Sequence, residues 1–255
     1  MSRSNPRLKK ANTLTDFTAF QIEELAKCAD DPIYFAENYV MIVHPKEGEI
    51  PLKLYDFQKE MILNYKNNRY SITLASRQVG KSTIAVVYLL WLAMFRDTQT
   101  ILIASNKRAG AQEMISKIRF AYEAMPDWLK PGVAPEDWNK ESLSFDNKSR
   151  IVSTATSPDS GRGMSISCLY LDEFAFVAPN IQEEFWALIT PTISTGGSCI
   201  ITSTPNGATN LFAQIWRAAE AGVKGEGFEF IPLRVRWDEP PGRDEAFKRS
   251  QISII

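Results

Sequence analysis

In 255 residues there is a single histidine, no apolar run long enough to cross a bilayer, and almost no net charge. With His44 alone, read as a surface residue, neither a histidine-based zinc cluster nor a Ser/His/Asp triad can be assembled. The longest apolar run, Ile84 to Phe95, falls short of the roughly 20 residues of a membrane helix and reads as a core helix. No apolar signal segment opens the chain, so no membrane partner is expected. The three cysteines, Cys28, Cys168 and Cys199, lack paired spacing, and the last two sit in strand-like apolar runs where a thiol packs as a small hydrophobe. A reducing cytosol fits that usage. The formal net charge is −1, so any contact with DNA has to be a local patch or a product of assembly.

What is present is an ordinary globular composition, 44% hydrophobic and 23% charged, organised around one stretch. The β-prone run Tyr70 to Leu74 leads through Ala75, Ser76, Arg77, Gln78, Val79, Gly80, Lys81, Ser82 and Thr83 into the apolar run that begins at Ile84. Strand, glycine-containing loop and helix are the context a phosphate-binding loop needs. Its backbone N–H groups and the following helix start would cradle phosphate oxygens, Lys81 would add a point charge, and Ser82 would ligate magnesium. Ala75 stands where the usual pattern has glycine.

A second motif follows. The apolar run Ile166 to Leu171 ends in Asp172 and Glu173, two carboxylates at the end of a buried strand. Asp172 suits a magnesium ligand and Glu173 a group that polarises the attacking water. A further strand, Ser198 to Thr202, runs into Ser203, Thr204, Pro205, Asn206 and Gly207, whose hydroxyls are suited to sensing a γ-phosphate. About 20 residues ahead of the loop, Gln58 has the donor and acceptor to read an adenine edge, with Tyr55 as the aromatic neighbour. An exposed helix glutamine is the plainer alternative.

The rest of the chain reads as a mobile basic arm over Met1 to Lys10, a helix from Thr13 to Ala29, and a second helix after Pro32. Beyond the loop helix come a strand at Thr100 to Ser105 with Asn106 at a helix start, then a helix with an Ala111, Met114, Ile115, Ile118, Tyr122 stripe. A hairpin joins Leu143–Phe145 to Arg150–Thr154. A flexible Gly222 to Gly227 connection precedes a last strand, Phe228 to Val235, and a polar tail. The expected division is 1–45 arm and helical segment, 46–236 nucleotide-binding core, and 237–255 tail or truncated linker. The fold class is α/β, a P-loop NTPase with a mostly parallel sheet flanked by helices.

With these residues in place the chain resembles the ATPase domain of the large terminase subunit of tailed bacteriophages. The resemblance runs from about Asp31 to Arg236 and rests on IYFAENY (from Ile33), LYDFQKEM (from Leu54), SRQVGKST (from Ser76), SPDSGRG (from Ser157), LDEFAF (from Leu171) and TSTPNG (from Thr202). It implies a RecA-like ATPase hydrolysing ATP with Mg2+ to move double-stranded DNA into a procapsid, in the infected host's cytoplasm and at the portal vertex. Portal protein, small terminase subunit and further copies in a ring are the implied partners. It assigns Arg77 to phosphate within the subunit, Arg162 to a neighbour's active site, and Thr202, Ser203 and Thr204 to coupling. Full-length relatives of this kind carry a nuclease domain after the ATPase, for which too few residues follow here, so no DNA cleavage is expected. A helicase-like ATPase and a non-catalytic nucleotide-binding docking module are the alternatives.

Overall fold

A computed structural model describes residues 5–223 and 229–252. Among these, helix α1 (Ala19–Asp30) and helix α2 (Pro32–Tyr39) precede a two-stranded antiparallel hairpin, β1 (Met41–His44) and β2 (Gly48–Pro51). Helix α3 (Asp56–Asn67) then leads to strand β3 (Tyr70–Ala75), helix α4 (Lys81–Phe95), strand β4 (Thr100–Ser105) and helix α5 (Arg108–Ala124). Strands β5 (Val133–Trp138), β6 (Ser142–Phe145), β7 (Arg150–Ala155) and β8 (Cys168–Asp172) follow. Helix α6 (Pro179–Ser194), strand β9 (Ser198–Ser203), helix α7 (Leu211–Glu220), strand β10 (Ile231–Val235) and helix α8 (Glu245–Ile252) complete the order.

One sheet runs β10-β3-β9-β8-β4-β7-β6-β5, parallel from β10 to β7 and antiparallel at β6 and β5. Its strands are apolar on both faces because helices cover both. Side chains alternate across the pleat and divide between two cores. Ile101, Ile103, Cys168, Tyr170 and Ile200 join the core under α3, α4 and α5. Leu102, Ala104, Leu169, Leu171, Cys199 and Ile201 join the core under α6 and α7. Helix α4 is almost wholly buried from Ile84 to Met94, as its unbroken apolar run requires. All three cysteines are free and buried. No helix among the described residues is long and apolar enough to cross a membrane.

Several expectations need correction. Helix α1 starts at Ala19, where Thr18 and Gln21 form a reciprocal capping box, so residues 13–18 lie outside it. Its apolar residues do not mark its buried face: Phe20 and Ile22 are 64% and 58% exposed, whereas Glu24 and Cys28 are buried. Glu24 turns inward because it accepts hydrogen bonds from Tyr34, Tyr39 and Lys27, which satisfy its carboxylate. The arm, from Asn5 on, is docked: Val133 donates to the Lys9 carbonyl (2.9 Å) and Ala11 to that of Val133 (3.1 Å). Residues 1–4 lie outside the described residues, as do 224–228, which include most of the expected glycine connection. Helix α5 starts at Arg108 with Lys107 as its cap, two residues after Asn106. Residue 45 lies in the turn of the β1–β2 hairpin, and α1 and α2 contribute Cys28, Phe35 and Ala36 to the same core as α3 to α5.

Candidate functional site

Because β3, β8 and β9 are adjacent and parallel, their carboxyl ends bring the loop after Ala75, the Asp172-Glu173 pair and Thr202 to Thr204 to one edge of the sheet. The loop after β3 needs unusual backbone geometry. Gln78 has φ +59° and Gly80 has φ +82°, both left-handed, and at Gly80 an added Cβ would lie 2.8 Å from Gln58 Nε2. Glycine is therefore the favoured residue at 80, where a side chain would be strained and would push Gln58 aside, while Gln78 holds a conformation costing about 1–3 kcal/mol for a non-glycine residue.

Lys81, the first residue of α4, donates to Glu173 Oε1 at 2.5 Å. Glu173 is itself left-handed at φ +51°, a strained hinge between β8 and the short 3-10 turn Phe174–Phe176. Its other oxygen accepts from the Thr204 amide (3.1 Å), the Thr204 hydroxyl (3.2 Å) and, at 3.4 Å, Ser203. Burial pushes the Glu173 carboxyl up, but Lys81 and the Thr204 donors outweigh it and hold the group below the ordinary glutamate value. Thr204, at the end of β9, is thus wired to Glu173 by direct bonds.

Asp172 is buried at 7% exposure. Its Oδ1 lies 3.4 Å from Ser82 Oγ and takes hydrogen bonds from Tyr170 (3.2 Å) and Thr202 (3.4 Å), whose hydroxyls also meet at 2.7 Å. Burial raises the Asp172 carboxyl above the ordinary aspartate value, the Lys81 charge offsets part of this, and Glu173 adds to it. A carboxylate and a hydroxyl oxygen this close suit Mg2+, which takes one or two protein oxygens and completes its shell with phosphate and water.

Arg77, Gln78, Lys81, Asn106, Glu173, Phe176 and Thr204 line an open cleft of about 390 Å³. Beside it a second cleft, of about 540 Å³, is walled by Tyr55, Gln58, Gln78, Val79, Gly80 and Thr83 together with the hairpin and Pro240. Gln58 does not present a free amide there. Its Oε1 accepts from the Tyr55 N–H and its Nε2 donates to the Val79 carbonyl, both at 3.1 Å, so a base would have to compete for those bonds. Tyr55 is 46% exposed and stacks on Phe57. Ser76 donates its hydroxyl to the Arg236 carbonyl at 3.3 Å. Arg162 does not line the cleft: its side chain is 68% exposed and pairs with Asp159 at 3.1 Å.

Sequence reasoning missed four residues here. Asn106 follows β4 at the same sheet edge, and Tyr170 lies two residues before Asp172 and so on its face of the strand; both signals are in the sequence. Gln182, fully buried, donates to the carbonyls of Phe174 and Val177 and accepts from the Leu211 amide, fixing the turn after Glu173 to α7. Arg243 reaches the loop from the segment read as a polar tail.

The model of the terminase large subunit, T4likevirus-type, N-terminal family matches residues 72–252, which hold the loop after β3, both carboxylates and Thr204. The chain belongs to the terminase large-subunit family. Solved structures agree on the fold. The large terminase ATPase domain of Thermus phage P74-26 is 19% identical with a TM-score of 0.63, covering 78% of this chain and 88% of that one. The HK97 bacteriophage large terminase is 18% identical with a TM-score of 0.63, covering 88% of this chain and 47% of that one. A large terminase from a thermophilic bacteriophage, solved in complex with ADP, is 13% identical with a TM-score of 0.59, covering 80% of this chain and 50% of that one. This terminase chain thus spans about half the length of the longer relatives.

Proposed function

We propose that this terminase chain hydrolyses ATP with Mg2+ and that the cycle drives double-stranded DNA into a procapsid. The observation that carries the reading is the meeting of Lys81, Glu173 and Thr204 beside the Ser82–Asp172 pair at one sheet edge. Ser82 and Asp172 would hold magnesium, which when bound neutralises charge on the phosphates. Lys81 leaves Glu173 for the phosphate oxygens, which together carry more negative charge than the one carboxylate. Glu173, released from its ion pair but still held by Thr204, orients a water for in-line attack on the γ-phosphorus and takes its proton as the bond to the β-phosphate oxygen breaks and ADP leaves. Ser203 and Thr204 pass the change in Glu173 to β9, and Arg77 faces the same cleft. The P74-26 and ADP-bound relatives support a nucleotide here, and the family supports packaging as the use of the energy.

Arg162, exposed and outside the cleft, suits a finger that completes a neighbour's site in a ring. Portal protein, small terminase subunit and the host cytoplasm follow from the same reading. The test is Mg·ATP hydrolysis against protein concentration, for the wild type and Arg162→Ala. Specific activity should climb with concentration, and the variant should fall toward the roughly 10³- to 10⁵-fold lower rate of a site without its finger. Activity flat with concentration and indifferent to Arg162 would remove the intersubunit role. Nucleotide binding without turnover at any concentration would leave a docking module.

A further inference from the structure

After β10 the chain does not leave the sheet edge. Ser76 donates its amide to the Val235 carbonyl (3.0 Å) and its hydroxyl to that of Arg236 (3.3 Å), and Pro240 forms part of the wall beside Gln78 and Val79. The segment then turns at Gly242, and Arg243 reaches back. One arm of its guanidinium donates to the Arg77 carbonyl (3.1 Å) and, at 3.4 Å, to that of Trp237; the other donates to the Gln78 carbonyl (2.8 Å). The guanidinium carbon also sits 5.4 Å from the centre of the Phe247 ring on α8.

We propose that Arg243 is a positioning residue for the nucleotide site, a fork that fixes the phosphate loop from its outer side. A planar trans peptide points its carbonyl and the next N–H in opposite directions. Holding the carbonyls of Arg77 and Gln78 outward therefore turns the N–H groups of Gln78 and Val79 to the other side of the loop. The loop cannot hold this arrangement through secondary structure, since it lies between a strand end and a helix start and Gln78 is left-handed. A guanidinium presents two parallel donor arms and so can take two successive carbonyls; an ammonium is a point charge and cannot reproduce the fork. Arg243 touches no phosphate and acts through the loop, so the inference rests on the nucleotide reading of that loop.

The experiment is titration of a fluorescent ADP analogue with magnesium into the full chain, for wild type, Arg243→Ala and Arg243→Lys, with thermal unfolding without nucleotide run alongside. Lys248→Ala serves as a control, because Lys248 belongs to the same segment but lies over the Trp237 ring rather than on the loop. Arg243→Ala should weaken ADP binding by about tenfold, the effect of roughly one charge-assisted hydrogen bond. Arg243→Lys should stay near the alanine variant, and Lys248→Ala near the wild type, with all four unfolding at similar temperatures. Full rescue by lysine overturns the proposal in favour of simple charge, and equal ADP affinity in wild type and Arg243→Ala overturns it outright. A Lys248→Ala loss as large as that of Arg243→Ala overturns it too, since the segment's docking rather than the fork would then matter. A wild type that binds no ADP overturns the nucleotide reading itself, and the inference falls with it.

Discussion

Lys81→Ala weakens binding of ADP and ATP at least about 30-fold, because truncating a buried, hydrogen-bonded charge removes about 2–5 kcal/mol of affinity. The Lys81 side chain is only 11% exposed and lies on the first turn of α4, where a helix start already favours an anion. The fold should survive, since the buried face of α4 begins at Ile84. The variant also strands Glu173, whose carboxyl then faces the cost of burial with only the Ser203–Thr204 corner as its support. Calorimetric titration with Mg·ADP measures the effect. Affinity within threefold of the wild type would remove Lys81 from the site.

Glu173→Gln has the opposite signature. The amide keeps the size and can still accept from Thr204, but it cannot take a proton from water, so turnover should fall about 10²- to 10⁴-fold. Nucleotide affinity should hold or rise. In the wild type a phosphate must displace the carboxylate from Lys81, a contact of 2.5 Å, and glutamine presents no charge to displace. Phosphate release and ADP titration on one preparation separate the two effects. A variant that turns over at the wild-type rate, or that binds ADP tenfold more weakly, would contradict the role given to Glu173.

These two residues show what the sequence could and could not convey. The loop from Ser76 to Thr83 is legible because strand, loop and helix are contiguous, and the apolar run ending at Asp172 is legible because carboxylates stop it abruptly. The contact between Thr204 and Glu173 depends on β9 lying beside β8, an arrangement of the whole sheet that no local pattern states. Helices α6 and α7 escape the sequence reading although Phe185, Ile189 and Ile193, and Phe212 with Trp216, recur at helical spacing; Pro179 and Pro191, with Thr190, Thr192 and Ser194 around the second, hide the period of α6. The β1–β2 hairpin is short, largely exposed and contains Pro51, so it lacks the alternation that marks a strand. In α1 the misreading has a clear cause. Apolar residues normally mark the buried face, but here a carboxylate satisfied by two tyrosine hydroxyls takes that place.

The central claim is that nucleotide sits at the carboxyl ends of β3, β8 and β9. Amide hydrogen exchange with and without Mg·ADP tests its location without relying on turnover. Slower exchange concentrated in residues 76–83, with a smaller effect at 203 and 204, is the predicted result. Protection confined to other surfaces, such as the apolar groove between α7 and β10, with the loop unchanged, would contradict it.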